Sequence, residues 1–188
     1  MANFPINTIE TAPEAAQSLM QGVQDKIGFV PNLYGKMSNA PSLLEAYLTL
    51  SQITTKVDLS ETERQVVFMT NNRLNGCTYC MAAHTGISKG AKVPEDVIES
   101  LRTGSAIADP KLEALRQYAM VVNESRGWPS EADQQALLDA GYTEQTMLEV
   151  VLLTGLKVLS NYTNHIAQTP TDDAFKPFEW SDAQSAAA

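Results

Sequence analysis

Apolar residues along this chain recur with the period of a helix, and the strict alternation of a strand is nearly absent. After Pro13, "EAAQSLMQGVQDKIG" predicts a helix with proline in its first turn and Gly28 near its end. "FVPNLYGKMSNAP" reads as a connecting stretch, and Pro41 opens a second helix, "SLLEAYLTLSQIT". Ser60 caps a third, "ETERQVVFMTNNRL", with Glu63 completing a capping box; the Asn75-Gly76 pair ends it. A fourth helix is expected from about Cys77 to Gly90, and Pro94 begins a short fifth. Asp109-Pro110 starts another, in which Leu112, Leu115, Tyr118, Ala119 and Val122 fall at helical spacing. Ser130 and Asp133 frame the start of "EADQQALLDAG". The last long segment, "TEQTMLEVVLLTGLKVLSNYTNHIA", is apolar enough to be expected in the core. The fold class is all-α, in one domain over residues 1–180, with a small polar tail at 181–188 expected to fray.

"TERQVV" (Thr62 to Val67) echoes "TMLEVV" (Thr146 to Val151), each opening a helix that leads toward a histidine. The echo is short: it is compatible with a duplicated helical unit, and equally with two amphipathic helices that look alike.

Composition narrows the partners. With 188 residues the chain can bury a real core, and a net charge of −9 with no basic run argues against nucleic acid and anionic membrane. No apolar run is long enough for a transmembrane helix, and "MANFPINTIETAPEAAQ" lacks the features of a signal peptide. The expected location is cytoplasmic, where two cysteines serve redox or metal chemistry more readily than a structural disulfide.

Both cysteines and one of the two histidines fall in "GCTYCMAAHTG". On a helix starting at Cys77, residues three, four and seven apart share a face, so Cys77, Cys80 and His84 point the same way. The helix N-terminus favours thiolate at Cys77, and thiolate is the reactive form. His84 can take a proton from the Cys80 thiol or stand beside the thiolate as a cation. Three readings compete. A redox dithiol is favoured over inert packing by the coincidence of spacing. Zinc held by Cys77, Cys80 and His84, with His165 as a fourth ligand, lacks the second close ligand pair of a structural zinc site.

The segment from Leu59 to Val93, "LSETERQVVFMTNNRLNGCTYCMAAHTGISKGAKV", resembles the core of the alkylhydroperoxidase D branch of the carboxymuconolactone decarboxylase-like superfamily. Its pattern is a capped helix, an Asn-Gly break, then C-x-x-C-x-x-x-H. "GFVPNLYG", "APSLLEAY" and "NYTNHIAQTPTDDAF" fit as well, the last resembling the C-terminal signature of peroxidase-related members. The resemblance implies a helical fold assembled as trimers or hexamers and a cofactor-free reduction of hydroperoxides. In it Cys80 would attack the peroxide, Cys77 would resolve the sulfenic acid by forming a Cys77–Cys80 disulfide, and His84 would belong to the proton relay. An external dithiol, lipoyl-bearing or thioredoxin-like, would reduce the disulfide. A general disulfide reductase is the weaker form of the same reading; the superfamily's lactone decarboxylation does not rely on a C-x-x-C pair.

One position departs from the family. Twelve residues before the first cysteine, where members commonly carry glutamate, stands Gln65, which can hold a hydrogen bond but not transfer a proton. Glu63 is explained by the capping box, and Glu149, its echo-segment counterpart to Gln65, is the other carboxylate to consider. Tyr79 is expected to pack over the site. His165, beside Asn161 and Asn164, is a pocket or structural residue, and Trp128 and Trp180 are expected in core or interface packing.

Overall fold

The structure is a computed structural model that describes residues 2–181; the expected frayed tail therefore lies almost wholly outside the described residues. Among them every regular element is helical: α1 (Glu14–Ile27), α2 (Asn32–Met37), α3 (Pro41–Ile53), α4 (Glu61–Leu74), α5 (Thr78–Gly90), α6 (Glu95–Thr103), α7 (Pro110–Glu124), α8 (Glu131–Asp139) and α9 (Glu144–Ala167). No helix of the described residues is long and apolar enough to cross a membrane.

Polar residues at the helix starts explain most boundaries. Ser60, Ser130 and Thr143 each accept from the backbone N–H three residues on, and Asp109 caps α7 from its carboxylate. The α4–α5 join is the one that places the site. Gly76 takes φ +64°, open to glycine at no steric cost; its N–H bonds the Arg73 carbonyl and that of Cys77 bonds the Asn72 carbonyl. The chain thereby reverses and delivers Cys77 as the N-cap of α5, one position earlier than a place in the first turn.

Helix α4 is the hub, packed against α5, α6, α7 and α9, and its Val66, Val67 and Met69 are fully buried. The stretch expected to be a plain connection contains α2, too short for periodicity to reveal. It is held from outside: Asp172 accepts from the Asn32 N–H at 2.9 Å and from the Tyr79 hydroxyl at 2.5 Å, joining α2, α5 and the C-terminal segment. That segment then lies along α5, where a Cβ at Gly86 would come within 2.9 Å of the Phe178 ring. Trp180 is partly buried and donates to the Arg102 carbonyl, whereas Trp128 is 84% exposed, contrary to core packing, because it sits on the α7–α8 turn beyond the last turn of α7.

The echoed segments lie on α4 and α9, which pack together. Their histidines are placed differently: His84 faces inward and His165 is exposed, stacked on Tyr162.

Candidate active site

Cys77 and Cys80, both free thiols, are 1% and 2% exposed, so a small oxidant reaches either sulfur only through local opening of the packing. Around them stand α5, which carries them, and the inner face of α9. Asn164 of α9 donates its Nδ2 to Cys80 Sγ at 3.2 Å and to Cys77 Sγ at 3.6 Å. Asn72 of α4 donates to the Cys80 carbonyl and accepts from Asn161, which itself accepts from the half-buried Asn75, so a chain of amides ties α4, α5 and α9 together behind the sulfurs.

The two thiols are driven apart in acidity. Burial pushes Cys80 up, but the Cys77 thiol that donates to it, the positive charge of Lys157, and hydrogen bonds from Ser160 and Asn161 outweigh burial and bring it down to about 5. Cys77 moves the other way: it gives its proton to the hydrogen bond with Cys80, is desolvated, and feels the charge of the Cys80 thiolate. The helix N-terminus favours thiolate at Cys77, but there the hydrogen bond to Cys80 and burial outweigh it. Specific donors and one buried cation converge on Cys80, and against them the diffuse field of the helix end is small.

Lys157, on α9, is 1% exposed. Its Nζ lies 2.8 Å from His84 Nε2 and 5.6 Å from the centre of the Phe68 ring. A buried ammonium needs a counter-charge, and the Cys80 thiolate supplies it. The other ring nitrogen of His84, Nδ1, is 2.8 Å from Gln65 Oε1, and Gln65 Nε2 donates to Glu61 Oε1 at 2.7 Å.

Hydrogen-bond directions follow from the chemistry of the ends. A carboxylate only accepts, so the Gln65 amide nitrogen faces Glu61 and its oxygen faces His84. His84 therefore carries its proton on Nδ1 and presents a lone pair at Nε2 to the Lys157 ammonium. Burial and then the Lys157 charge hold His84 well below its ordinary range, so it is neutral at pH 7. A cationic His84 beside the thiolate is accordingly ruled out by its own neighbours, and it is Lys157 that supplies the positive charge.

Other residues singled out from the sequence are placed elsewhere. Glu63 closes the Ser60 capping box and accepts from Tyr142 at 3.0 Å; Glu149 accepts from the Asp58 backbone N–H at 3.0 and 3.1 Å, holding the α3–α4 connection. Neither joins the His84 network. Tyr79 is buried beside the sulfurs, with its hydroxyl turned to Asp172. Among the described residues no group of three or more His, Cys, Asp or Glu side chains is arranged to hold a metal, since His84 is turned to Gln65 and Lys157 and His165 lies at the surface. Five site residues were given no role from the sequence: Glu61, Lys157, Ser160, Asn161 and Asn164. A signal existed for four of them. Lys157, Ser160, Asn161 and Asn164 repeat at helical spacing within an otherwise apolar helix, which marks a polar stripe on one face.

These features define an all-helical protein with a buried C-x-x-C dithiol between α5 and the inner face of α9. Residues 41–123, from α3 to α7, match the profile of the carboxymuconolactone decarboxylase family. A peroxidase-related protein with an alkylhydroperoxidase AhpD core from Ralstonia eutropha JMP134 shares the fold at TM-score 0.81 and 24% identity, over 92% of this chain and 93% of that one. A peroxidase-related protein from Silicibacter sp. TM1040 follows at 0.78 and 19% identity, over 93% and 92% of the two chains. The debrominase Bmp8, as a cysteine-to-alanine variant with 2,3,4-tribromopyrrole, superposes at 0.74 and 17% identity, over 92% and 96%. Comparison with curated protein sequences finds no match. The chain thus has an AhpD-like helical fold, and its segment 41–123 is similar to the carboxymuconolactone decarboxylase family.

Proposed function

We propose that the protein reduces hydroperoxides through a Cys77/Cys80 dithiol–disulfide cycle, with Cys80 as the attacking thiol. The observation that carries this reading is the pairing of the two buried sulfurs under one donor, Asn164 Nδ2 at 3.2 Å from Cys80 and 3.6 Å from Cys77. Their mutual hydrogen bond raises the pKa of Cys77 and, with the Lys157 charge, lowers that of Cys80 against burial. Only the thiolate attacks a peroxide oxygen, so the direction of the split supports Cys80 as the first to react. While Cys80 is anionic, Cys77 is its hydrogen-bond donor and stays protonated. Once Cys80 becomes a neutral sulfenic acid, the hydrogen bond and the charge that restrained Cys77 are gone, and Cys77 is released to close the disulfide. An external dithiol, lipoyl-bearing or thioredoxin-like, then restores both thiols.

The test is single-turnover reaction of the reduced protein with tert-butyl hydroperoxide, followed by mass. Wild type is expected to lose two hydrogens, Cys77→Ser to stop at a sulfenic acid that a dimedone-type reagent traps, and Cys80→Ser to stay unchanged. Oxidation of Cys80→Ser at the wild-type rate would overturn the reading. Because a debrominase shares the fold, an aryl bromide is the control electrophile.

We infer also that a second copy of the chain covers the outer face of α9. Leu148, Val151, Tyr162 and Ile166 are 74, 53, 52 and 71% exposed and lie on one side of the helix. Gly155, between them, has open space above it, so another backbone can come close. An apolar stripe of this length on a chain of net charge −9 suits a self-complementary contact across a twofold axis better than a charged partner.

A further inference from the structure

Asn164 carries more than its contacts to sulfur require. It is 5% exposed, and its amide nitrogen is committed to both sulfurs, at 3.2 Å from Cys80 and 3.6 Å from Cys77. The direction of the amide is fixed by chemistry: a thiolate accepts and cannot donate, so nitrogen faces Cys80 and oxygen is turned away. That oxygen, Oδ1, is buried and finds no hydrogen-bond donor among the described residues. Buried acceptors in a folded protein are almost always satisfied, and an exception beside a reactive group is a place to look for a ligand. The neighbouring amides show what satisfaction looks like: the oxygens of Asn71, Asn72, Asn75 and Asn161 each accept from a side-chain amide.

We propose that Asn164 Oδ1 accepts the O–H of the incoming hydroperoxide, making Asn164 a substrate-binding and catalytic residue for the reaction inferred above, on which this assignment rests. The substrate class follows: a molecule with a hydroxyl on its electrophilic oxygen. With that hydroxyl donated to Oδ1, its oxygen is carried to the Cys80 sulfur that the same amide's nitrogen contacts. The thiolate attacks; the S–O bond forms as the O–O bond breaks, sulfur losing two electrons and the peroxide gaining them. The hydroxyl hydrogen stays on the transferred oxygen, so Cys80 becomes S–OH and keeps its hydrogen bond to Asn164. The alkoxide that leaves takes a proton from the Lys157 ammonium, which regains it from solvent. Cys77 sulfur then attacks Cys80 sulfur, and its proton departs with the hydroxyl as water.

The amide thus has two separable duties, and the experiment separates them. Rate constants at Cys80 are measured by site-resolved mass for tert-butyl hydroperoxide and for iodoacetamide, which has no hydroxyl on its electrophilic atom. Both are taken above the thiolate midpoint of each variant, so that acidity drops out of the comparison. Asn164→Ala is expected to lower the peroxide rate about tenfold more than the alkylation rate, the worth of one hydrogen bond. The isosteric Asn164→Asp, which fills the same space, keeps an acceptor while losing the donors. Its ratio of the two rates is expected to stay near that of wild type although its thiolate midpoint rises. Equal losses with both reagents in Asn164→Ala, or a ratio that falls in Asn164→Asp as well, would remove Oδ1 from substrate binding and leave the peroxidase reading standing. A wild type that is alkylated but inert to the hydroperoxide would instead overturn the peroxidase reading, and this assignment with it.

Discussion

At Cys80 the Cys77 hydrogen bond and then the Lys157 charge favour the thiolate against burial. Cys77, Cys80 and His84 could be picked from the sequence because cysteine and histidine are rare here and their spacing puts them on one helix face. Lys157 could not, because its partners lie on other elements: His84 is 73 positions away in the chain, and a lysine amid "LLTGLKVLSN" says nothing of what its ammonium meets. Nor could the departure at Gln65 be judged without coordinates. The carboxylate expected there stands one helical turn earlier, at Glu61, and the glutamine passes its orientation on to His84. Cys80 is an acid with a depressed pKa, so its reactive anion is present above about 5 and is lost as the pH falls through that value. Alkylation of Cys80 should therefore rise through this range and be level by neutrality, with no added step from His84, which is already neutral. Lys157→Met keeps the volume and deletes the charge. It is expected to raise the thiolate midpoint by more than about one unit, slowing alkylation at pH near 5 about fivefold or more. Ultraviolet titration of the thiolate checks this, and a midpoint unmoved by the substitution would strip Lys157 of the role.

At the scale of the helices, caps and breakers made most boundaries legible, since Ser60, Ser130, Thr143 and Gly76 act through neighbours only a few residues away. Helix α2 was not legible because its support is tertiary. Asp172, only 8% exposed, receives the Asn32 N–H and the Tyr79 hydroxyl, and so clamps α2 and the C-terminal segment onto the helix that carries the cysteines. The tyrosine between the cysteines thus earns its position through what its hydroxyl ties down. Tyr79→Phe keeps the packed ring and removes one donor from a buried carboxylate, a loss of about 1–3 kcal/mol. The expected outcome is a lower denaturant midpoint with an unchanged slope, together with faster proteolytic cleavage after α9. Loss of stability without faster cleavage there would mean that the clamp does not hold the C-terminal segment.

Across the whole molecule, α9 is where the amphipathic reading of a single chain reaches its limit. Its sequence is apolar nearly all round, which led to the expectation of a core helix, yet only one side meets the rest of the chain. Val150, Leu153 and Leu156 are buried there with the polar stripe of the site, while Leu148, Val151, Tyr162 and Ile166 face outward. Periodicity reports how much of a helix is apolar; it cannot say whether the cover comes from the same chain or from another. If a second copy supplies it, the face that holds Lys157 and Asn164 against the sulfurs is braced from behind, and assembly and reactivity are linked through one helix. Ile166→Asp places a carboxylate in the stripe, two residues from Asn164 and on the opposite side of the helix. Light scattering is expected to give a multiple of the chain mass for wild type and a single chain for the variant, with the helical content retained. Two further readings follow from the linkage. The isolated chain should show a looser site, seen as faster alkylation of Cys80 by bulky reagents, and should exchange the backbone amides of α9 sooner. A variant that keeps the wild-type mass would show that the outer face of α9 is not the contact.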